Sequence, residues 1–215
     1  MHKQVILFDL DGTLTDSKLG ITKAIRYALS AYGIQVDDLD SLRPLIGPPL
    51  YESFQEFYGF SAEQAFQAVD KYREYYSDTG IFENMLFGGV TELLQRLTAE
   101  GKHIAMATSK PTVYAVRIAR HFDIAQYFKC IMGSELDGTR IRKGEVIAAA
   151  LQELGVQDLN TVVMVGDREN DVIGARENDI DCISVLYGYG SRAELEQAGA
   201  TVFAASVTEL GQLLK

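Results

Sequence analysis

Val5-Ile6-Leu7-Phe8-Asp9-Leu10-Asp11-Gly12-Thr13 decides how the rest of this 215-residue chain is read. Four apolar residues in succession, without the alternation of a half-solvated strand, predict a parallel strand buried on both faces. Carboxylates follow at once, and Gly12 lets the chain turn tightly. With a period of two, Asp9 and Asp11 leave the strand toward the same side. In a doubly wound sheet, ligands bind beyond the carboxyl ends of the strands. Two like charges this close repel unless a cation lies between them or one carboxyl holds a proton. Taken alone, the pair also fits a plain surface Asp-Gly turn.

Further apolar runs at Ile104 to Ala107, Cys130 to Met132, Thr161 to Val165 and Cys182 to Leu186 predict more buried strands. Helical stripes lie between them. Val90, Leu93, Leu94 and Leu97 form one, ended by Gly101; Ile147, Ala150, Leu151 and Leu154 form another, ended by Gly155. Strand and helix in alternation imply an α/β fold, a doubly wound parallel-sheet (Rossmann-like) core. From Asp16 to Phe87 the alternation stops, and only helices are expected. Ile21, Ala24, Ile25, Ala28, Leu29 and Tyr32 keep helical spacing up to Gly33. Ser61-Ala62-Glu63-Gln64 is a capping box leading into Phe66, Val69, Tyr72 and Tyr76. Arg43-Pro44-Leu45-Ile46-Gly47-Pro48-Pro49 reads as a stiff loop or turn. The expected organisation is a core of residues 1–15 and 84–215 with a helical insert of residues 16–83.

Composition sets the outer limits. With 47% hydrophobic and 23% charged residues, the chain can bury a sizeable core. The net charge of −10 argues against a basic face for nucleic acid polymers or anionic membrane. A small anionic substrate then needs local neutralisation, which points to a metal ion. No apolar run reaches the roughly 18 residues of a spanning helix. The opening MHKQVILFDLDG is a poor signal peptide, so a cytoplasmic location is expected. Cys130 and Cys182 are expected to be buried, reduced thiols. His2, His103 and His121 lie far apart and offer no zinc spacing. Nothing specifies an oligomeric state; a monomer satisfies every feature read so far.

A second acidic site turns the opening pair into a constellation. Val162-Val163-Met164-Val165 runs into Gly166-Asp167-Arg168-Glu169-Asn170-Asp171. Asp171 also fits a helix cap, where negative charge is favoured; Asp167 has no such local role. Two acidic clusters at the ends of two buried strands, if those strands are neighbours, make an all-oxygen site of the kind magnesium takes. Thr108-Ser109 ends one strand and is expected to open a helix, so its hydroxyls and N–H groups can hold phosphate oxygens; a plain helix cap is the alternative. Lys143 stands at the start of the helix Gly144 to Leu154, where positive charge is disfavoured. It is either an indifferent surface lysine or a cation that keeps Asp9 ionised and neutralises a transferring phosphate.

These segments together resemble the haloacid dehalogenase superfamily. Asp9-Leu10-Asp11-Gly12-Thr13 is similar to its first motif, Thr108 to its second, Lys143 to its third, and Gly166 to Asp171 to its fourth, in order along the whole chain. The insert is similar to the family's small helical cap. Asp11 implies phosphoryl chemistry, since dehalogenating members lack the second aspartate. Around the third motif, Arg142-Lys143-Gly144-Glu145 lacks the prolines of phosphoglycolate phosphatase-like members, and with Ser134 to Thr139 it resembles the 5'-nucleotidase-like branch.

The resemblance implies a magnesium-dependent phosphatase acting on a small phosphorylated metabolite, of 5'-nucleotide or phosphoglycolate type, through an aspartyl-phosphate. It makes Asp9 the nucleophile and Asp11 the acid and base. Asp9, the Asp11 carbonyl and Asp167 become metal ligands, with Asp171 supporting them directly or through water. Thr108, Ser109, Lys143 and Gly12 serve the phosphoryl group, and a closing cap selects the leaving group. Arg43 is the candidate substrate contact in the cap, an ordinary surface arginine being the alternative. A β-phosphoglucomutase-like phosphomutase and a non-catalytic binding protein are the rival readings. Gly188-Tyr189-Gly190-Ser191-Arg192-Ala193 imitates a dinucleotide fingerprint, but as the expected last strand–helix turn it lacks the rest of such a unit. It is read instead as a turn beside the site.

Overall fold

The computed structural model describes residues 3–215; His2 lies outside them. Strand β1 (Val5–Phe8) is buried at all four positions, as its unbroken apolar run requires. The chain forms two compact units, one comprising the sequence up to Thr15 together with Leu86–Lys215, the other Asp16–Met85. It passes from the first to the second through the two-residue strand β2 (Thr15–Asp16).

The second unit is built on α1 (Lys18–Ser30), α2 (Leu50–Tyr58) and α3 (Ala62–Tyr76). Ser61 Oγ accepts the Gln64 N–H at 3.2 Å and the Gln64 side chain accepts the Ser61 N–H at 3.0 Å, closing the expected capping box. The buried stripe of α3 is Ala65, Ala68, Tyr72 and Tyr76, not one containing Phe66, which is 62% exposed and rests its ring on Tyr51 of α2. Helix α3 packs on α1, with its Ala65 and Ala68 fully buried and its Tyr72 and Tyr76 rings stacked 5.0 Å apart. The expected stiff loop at 43–49 begins as the last turn of a 3₁₀ helix, Leu39–Leu45, with Pro44 inside it. The return is β3 (Met85–Leu86), a short strand where only helix was expected.

The first unit continues with α4 (Val90–Ala99), β4 (His103–Pro111), α5 (Thr112–His121), β5 (Ile131–Ser134), α6 (Lys143–Glu153), β6 (Val162–Gly166), α7 (Glu169–Glu177), β7 (Asp181–Val185), α8 (Arg192–Ala198), β8 (Phe203–Ala204) and α9 (Val207–Leu213). Six strands make one parallel sheet in the order β5-β4-β1-β6-β7-β8, with Phe8 opposite Met106 on one side and Val165 on the other. The order reverses at β1, so the crevice beyond Phe8 is the topological switch point. Val5, Leu7, Ala105, Ala107, Val162 and Met164 bury one sheet face with Val146, Ile147 and Ala150 of α6. A leucine-sized side chain sealed this way contributes about 1.5–3 kcal/mol.

Three expectations change here. The turn at Gly188 is not the last, since β8 and α9 follow it. Strand β4 runs on to Pro111 past an irregularity after Ala107, and α5 starts only at Thr112. Pro111 is the cause, because a residue before proline is driven out of the helical region, which keeps Lys110 extended. Cys130 and Cys182 are free thiols but half-buried, and burial pushes the Cys130 thiol up to about 11.

Candidate active site

Strands β1 and β6 end side by side, the Asp9 N–H donating to the Val165 carbonyl at 2.9 Å. That pairing places Asp9 beside Asp167, while α7 begins one residue after Arg168 and turns Asp171 back over the same point. Asp171 holds its place by accepting the Arg168 N–H at 3.0 Å, a local helix-start bond. Asp167 is fully buried; its two oxygens accept the Thr13 hydroxyl at 3.1 Å and the Tyr189 N–H at 2.8 Å. Ligand atoms from Asp9, Asp167 and Asp171 all lie within 4.8 Å of one another.

Lys143 enters this cluster from the first turn of α6. Its Nζ stands 3.0 Å from Asp9 Oδ1 and 2.8 Å from Asp171 Oδ1, and donates to the Ala107 carbonyl at 3.1 Å. The indifferent surface lysine is thereby set aside, since the side chain is 3% exposed. Burial opposes its charge, yet Asp171 and Asp9 outweigh burial and hold its pKa above the ordinary lysine value. Asp167 shows the opposite balance: burial first, then the charges of Asp171 and Asp9, push its carboxyl well above the usual carboxylate range. Burial also raises Asp171, against the pull of Lys143. Three buried carboxylates against one ammonium leave an excess of negative charge that a hard divalent cation with oxygen ligands would neutralise. The donor set fits such an ion.

Asp11 stands apart from the cluster. Its Oδ2 is 2.8 Å from Lys110 Nζ, and its Oδ1 is buried with no hydrogen-bond partner among the described residues. Gly12 sits at φ +84°, and a Cβ there would come 2.6 Å from the Asp167 carboxyl carbon, so only glycine admits the carboxylate. Its N–H is given to the Thr15 carbonyl at 2.8 Å, which makes Gly12 a spacer rather than a free donor. Thr108 is buried within β4, at the irregularity after Ala107, with its Oγ1 accepting the Lys110 N–H at 3.3 Å; Ser109 is half-buried beside it. Neither opens a helix, because Pro111 delays α5 to Thr112. Arg43 is exposed in the second unit, on the 3₁₀ turn.

One contributor escaped the sequence reading. Lys110 went unread because the strand was expected to end before it, although a lysine two residues beyond the Thr108 hydroxyl is visible in the sequence. The Gly188-Tyr189-Gly190 turn, read from the sequence as a turn beside the site, lies against Asp167. A Cβ on Gly188 would lie 2.5 Å from Asp167 Oδ2, and one on Gly190 would collide with the Asp167 carbonyl. These glycines let the turn lie flat on Asp167 so that the Tyr189 N–H can reach it, which is the physical content of the false dinucleotide pattern.

A model for haloacid dehalogenase-like hydrolases matches residues 6–185. A 5'-nucleotidase of Pseudomonas aeruginosa is 46% identical over 98% of this chain and 95% of its own length. Tyrosine-protein kinase PtkA of Mycobacterium tuberculosis is 42% identical over 98% of this chain and 72% of that protein. The crystal structure of a predicted phosphatase from Clostridium acetobutylicum superimposes with a TM-score of 0.97 at 47% identity, covering 100% of this chain and 99% of the other. Phosphatases of this family generally use a divalent metal, for which the three-aspartate cluster offers oxygen ligands. With its fold, its buried acidic cluster and these relatives in agreement, the chain belongs to the haloacid dehalogenase-like hydrolases, as a phosphatase of small phosphoric monoesters.

Proposed function

We propose that this protein is a magnesium-dependent phosphatase that passes the phosphoryl group through Asp9, with 5'-nucleotides ahead of phosphoglycolate as the substrate class. The observation that carries the reading is the Asp9 carboxylate, held at the switch point with its Oδ1 on Lys143 and with Asp167 and Asp171 beside it. A carboxylate oriented by an ammonium and kept from bulk water is an activated nucleophile.

Asp9 attacks phosphorus, and the bond to the leaving oxygen breaks with its electron pair going to that oxygen. Asp11 supplies the proton this oxygen needs. In the second half, Asp11 takes a proton from water as the water displaces Asp9 from phosphorus. Lys143 and Thr108 offer donors to the equatorial oxygens, where charge develops. Asp9, the Asp11 carbonyl and Asp167 would hold magnesium, with Asp171 acting mainly through Lys143. When bound, the ion supplies charge neutralisation between the nucleophile and the phosphoryl oxygens. The substrate class rests on the 46% identity to the Pseudomonas nucleotidase, against 26–30% for the phosphoglycolate phosphatases, and on the proline-free stretch around Lys143.

The 42% identity to PtkA favours one further reading, phosphoryl transfer to a protein tyrosine. A panel of phosphate monoesters with and without magnesium, run on wild type and Asp9→Asn, tests the main reading. Inorganic phosphate should appear in step with dephosphorylated product. Asp9→Asn should lose about 10³-fold or more. Phosphate retained on a second substrate molecule would point to a mutase, and phosphotyrosine formed from ATP to the kinase; activity surviving Asp9→Asn would remove the nucleophile.

A further inference from the structure

The ion pair between Lys110 and Asp11 has no part in the scheme above, yet both its side chains are almost wholly sealed from water. Their Nζ–Oδ2 separation is 2.8 Å, with side-chain exposures of 5% and 11%. Burying a lysine is costly unless a partner compensates it, so its placement calls for a reason. The backbone around Lys110 is set firmly. Pro111 keeps it extended, its N–H is bound to Thr108 Oγ1, and Gly133 of β5 lies so close that a Cβ there would overlap its carbonyl. Asp11 is anchored from its own side by the bridge to Thr15 and the Gly12–Thr15 hydrogen bond.

We infer that Lys110 is a positioning residue for Asp11. By holding Oδ2, it turns the carboxyl away from the Asp9–Asp167–Asp171 cluster and presents Oδ1, the oxygen with no hydrogen-bond partner among the described residues, for proton transfer. Without that hold, Asp11 is free to swing toward whatever cation the three aspartates bind and to spend its oxygens as ligands. Lys110 thereby separates two tasks that four neighbouring aspartates would otherwise share. The inference rests on the acid–base role proposed for Asp11, and its test tells the two apart.

The measurement is kcat/KM on p-nitrophenyl phosphate, whose leaving group departs without a proton, and on benzyl phosphate, whose alkoxide needs one. Lys110→Met should lower the benzyl value about 10²-fold or more and the nitrophenyl value far less. Asp11→Asn should show the same split, Lys110→Arg should restore most of the benzyl activity, and adding Lys110→Met to Asp11→Asn should leave the ratio unchanged. Equal losses on both esters with Lys110→Met, while Asp11→Asn splits them, would overturn the positioning role alone. No split in Asp11→Asn would remove the acid–base reading and the role of Lys110 with it. Should Lys110→Met not fold, the same comparison holds with Lys110→Gln and with the double variant, which buries no unpaired charge.

Discussion

Replacing Asp167 by asparagine should make the metal-free protein more stable while disabling it. The wild-type residue is fully buried with two other carboxylates within 4.8 Å, and Lys143 compensates only one of those charges. One uncompensated like charge at 4.8 Å costs about 3.5 kcal/mol at an effective dielectric near 20. Proton uptake by Asp167, whose pKa is raised by burial and by its charged neighbours, keeps the cost below that figure near neutral pH. Asparagine removes the charge but keeps both contacts: its oxygen can accept the Tyr189 N–H, and its amide can donate to the Thr13 hydroxyl. For a chain of this size the relief corresponds to a rise in Tm of about 5–10 °C in chelator.

The sign of the pH dependence follows from the raised carboxyl. An acid whose folded-state pKa lies above its unfolded value destabilises the fold above that folded pKa, and the cost fades as pH falls through it toward the ordinary carboxylate range. The advantage of the variant should therefore be largest at neutral to alkaline pH and vanish near pH ~4. Magnesium reverses the ranking. At a hundredfold excess over its dissociation constant it should stabilise wild type by about 2.7 kcal/mol and the variant hardly at all. Thermal unfolding in EDTA and in magnesium, at three pH values, measures every part of this. A variant less stable than wild type in EDTA, or one that gains equally from magnesium, would refute the electrostatic account of the cluster.

Lys143→Met should cost about 3–5 kcal/mol, because it strands Asp9 and Asp171 without their buried counter-ion; adding Asp171→Asn should recover much of the stability in denaturant titrations but none of the phosphatase activity. Gly188→Ala adds only a methyl, yet its Cβ would lie 2.5 Å from Asp167 Oδ2 and must displace that carboxylate by about 1 Å, so kcat should fall about 10²-fold. A loss under threefold would show that the turn yields without moving Asp167. Ser61→Ala opens the capping box of α3 and should cost about 1 kcal/mol, seen as faster hydrogen exchange at the Gln64 amide with kcat unchanged.

Much of the fold was legible because its signals are local. Strands β1 and β6 are continuous apolar runs buried at every position, and the apolar stretches within β4, β5 and β7 carry a weaker form of the same signal. What escaped was short or held by tertiary contacts. Strand β8 is two residues at the sheet edge, too brief for any pattern to register. Helix α2 directly follows Pro48-Pro49 and buries only Ser53 and Phe54, so its stripe is nearly invisible. The exposed Phe66 misled the reading of α3 because hydrophobicity and spacing alone do not say which side of the helix the core covers.

By itself the sequence determined that Asp9, Asp11, Asp167 and Lys143 stand at the ends of buried strands or the start of a helix, since apolar runs and their punctuation are written in consecutive residues. Only the tertiary structure decided which of them share a charge. Asp9 meets Lys143 across 134 positions of chain, and Asp11 meets Lys110 rather than the other aspartates, because β1 is hydrogen-bonded between β4 and β6. Strand order in a sheet is chosen by packing summed over the whole core, and no short stretch of sequence carries it.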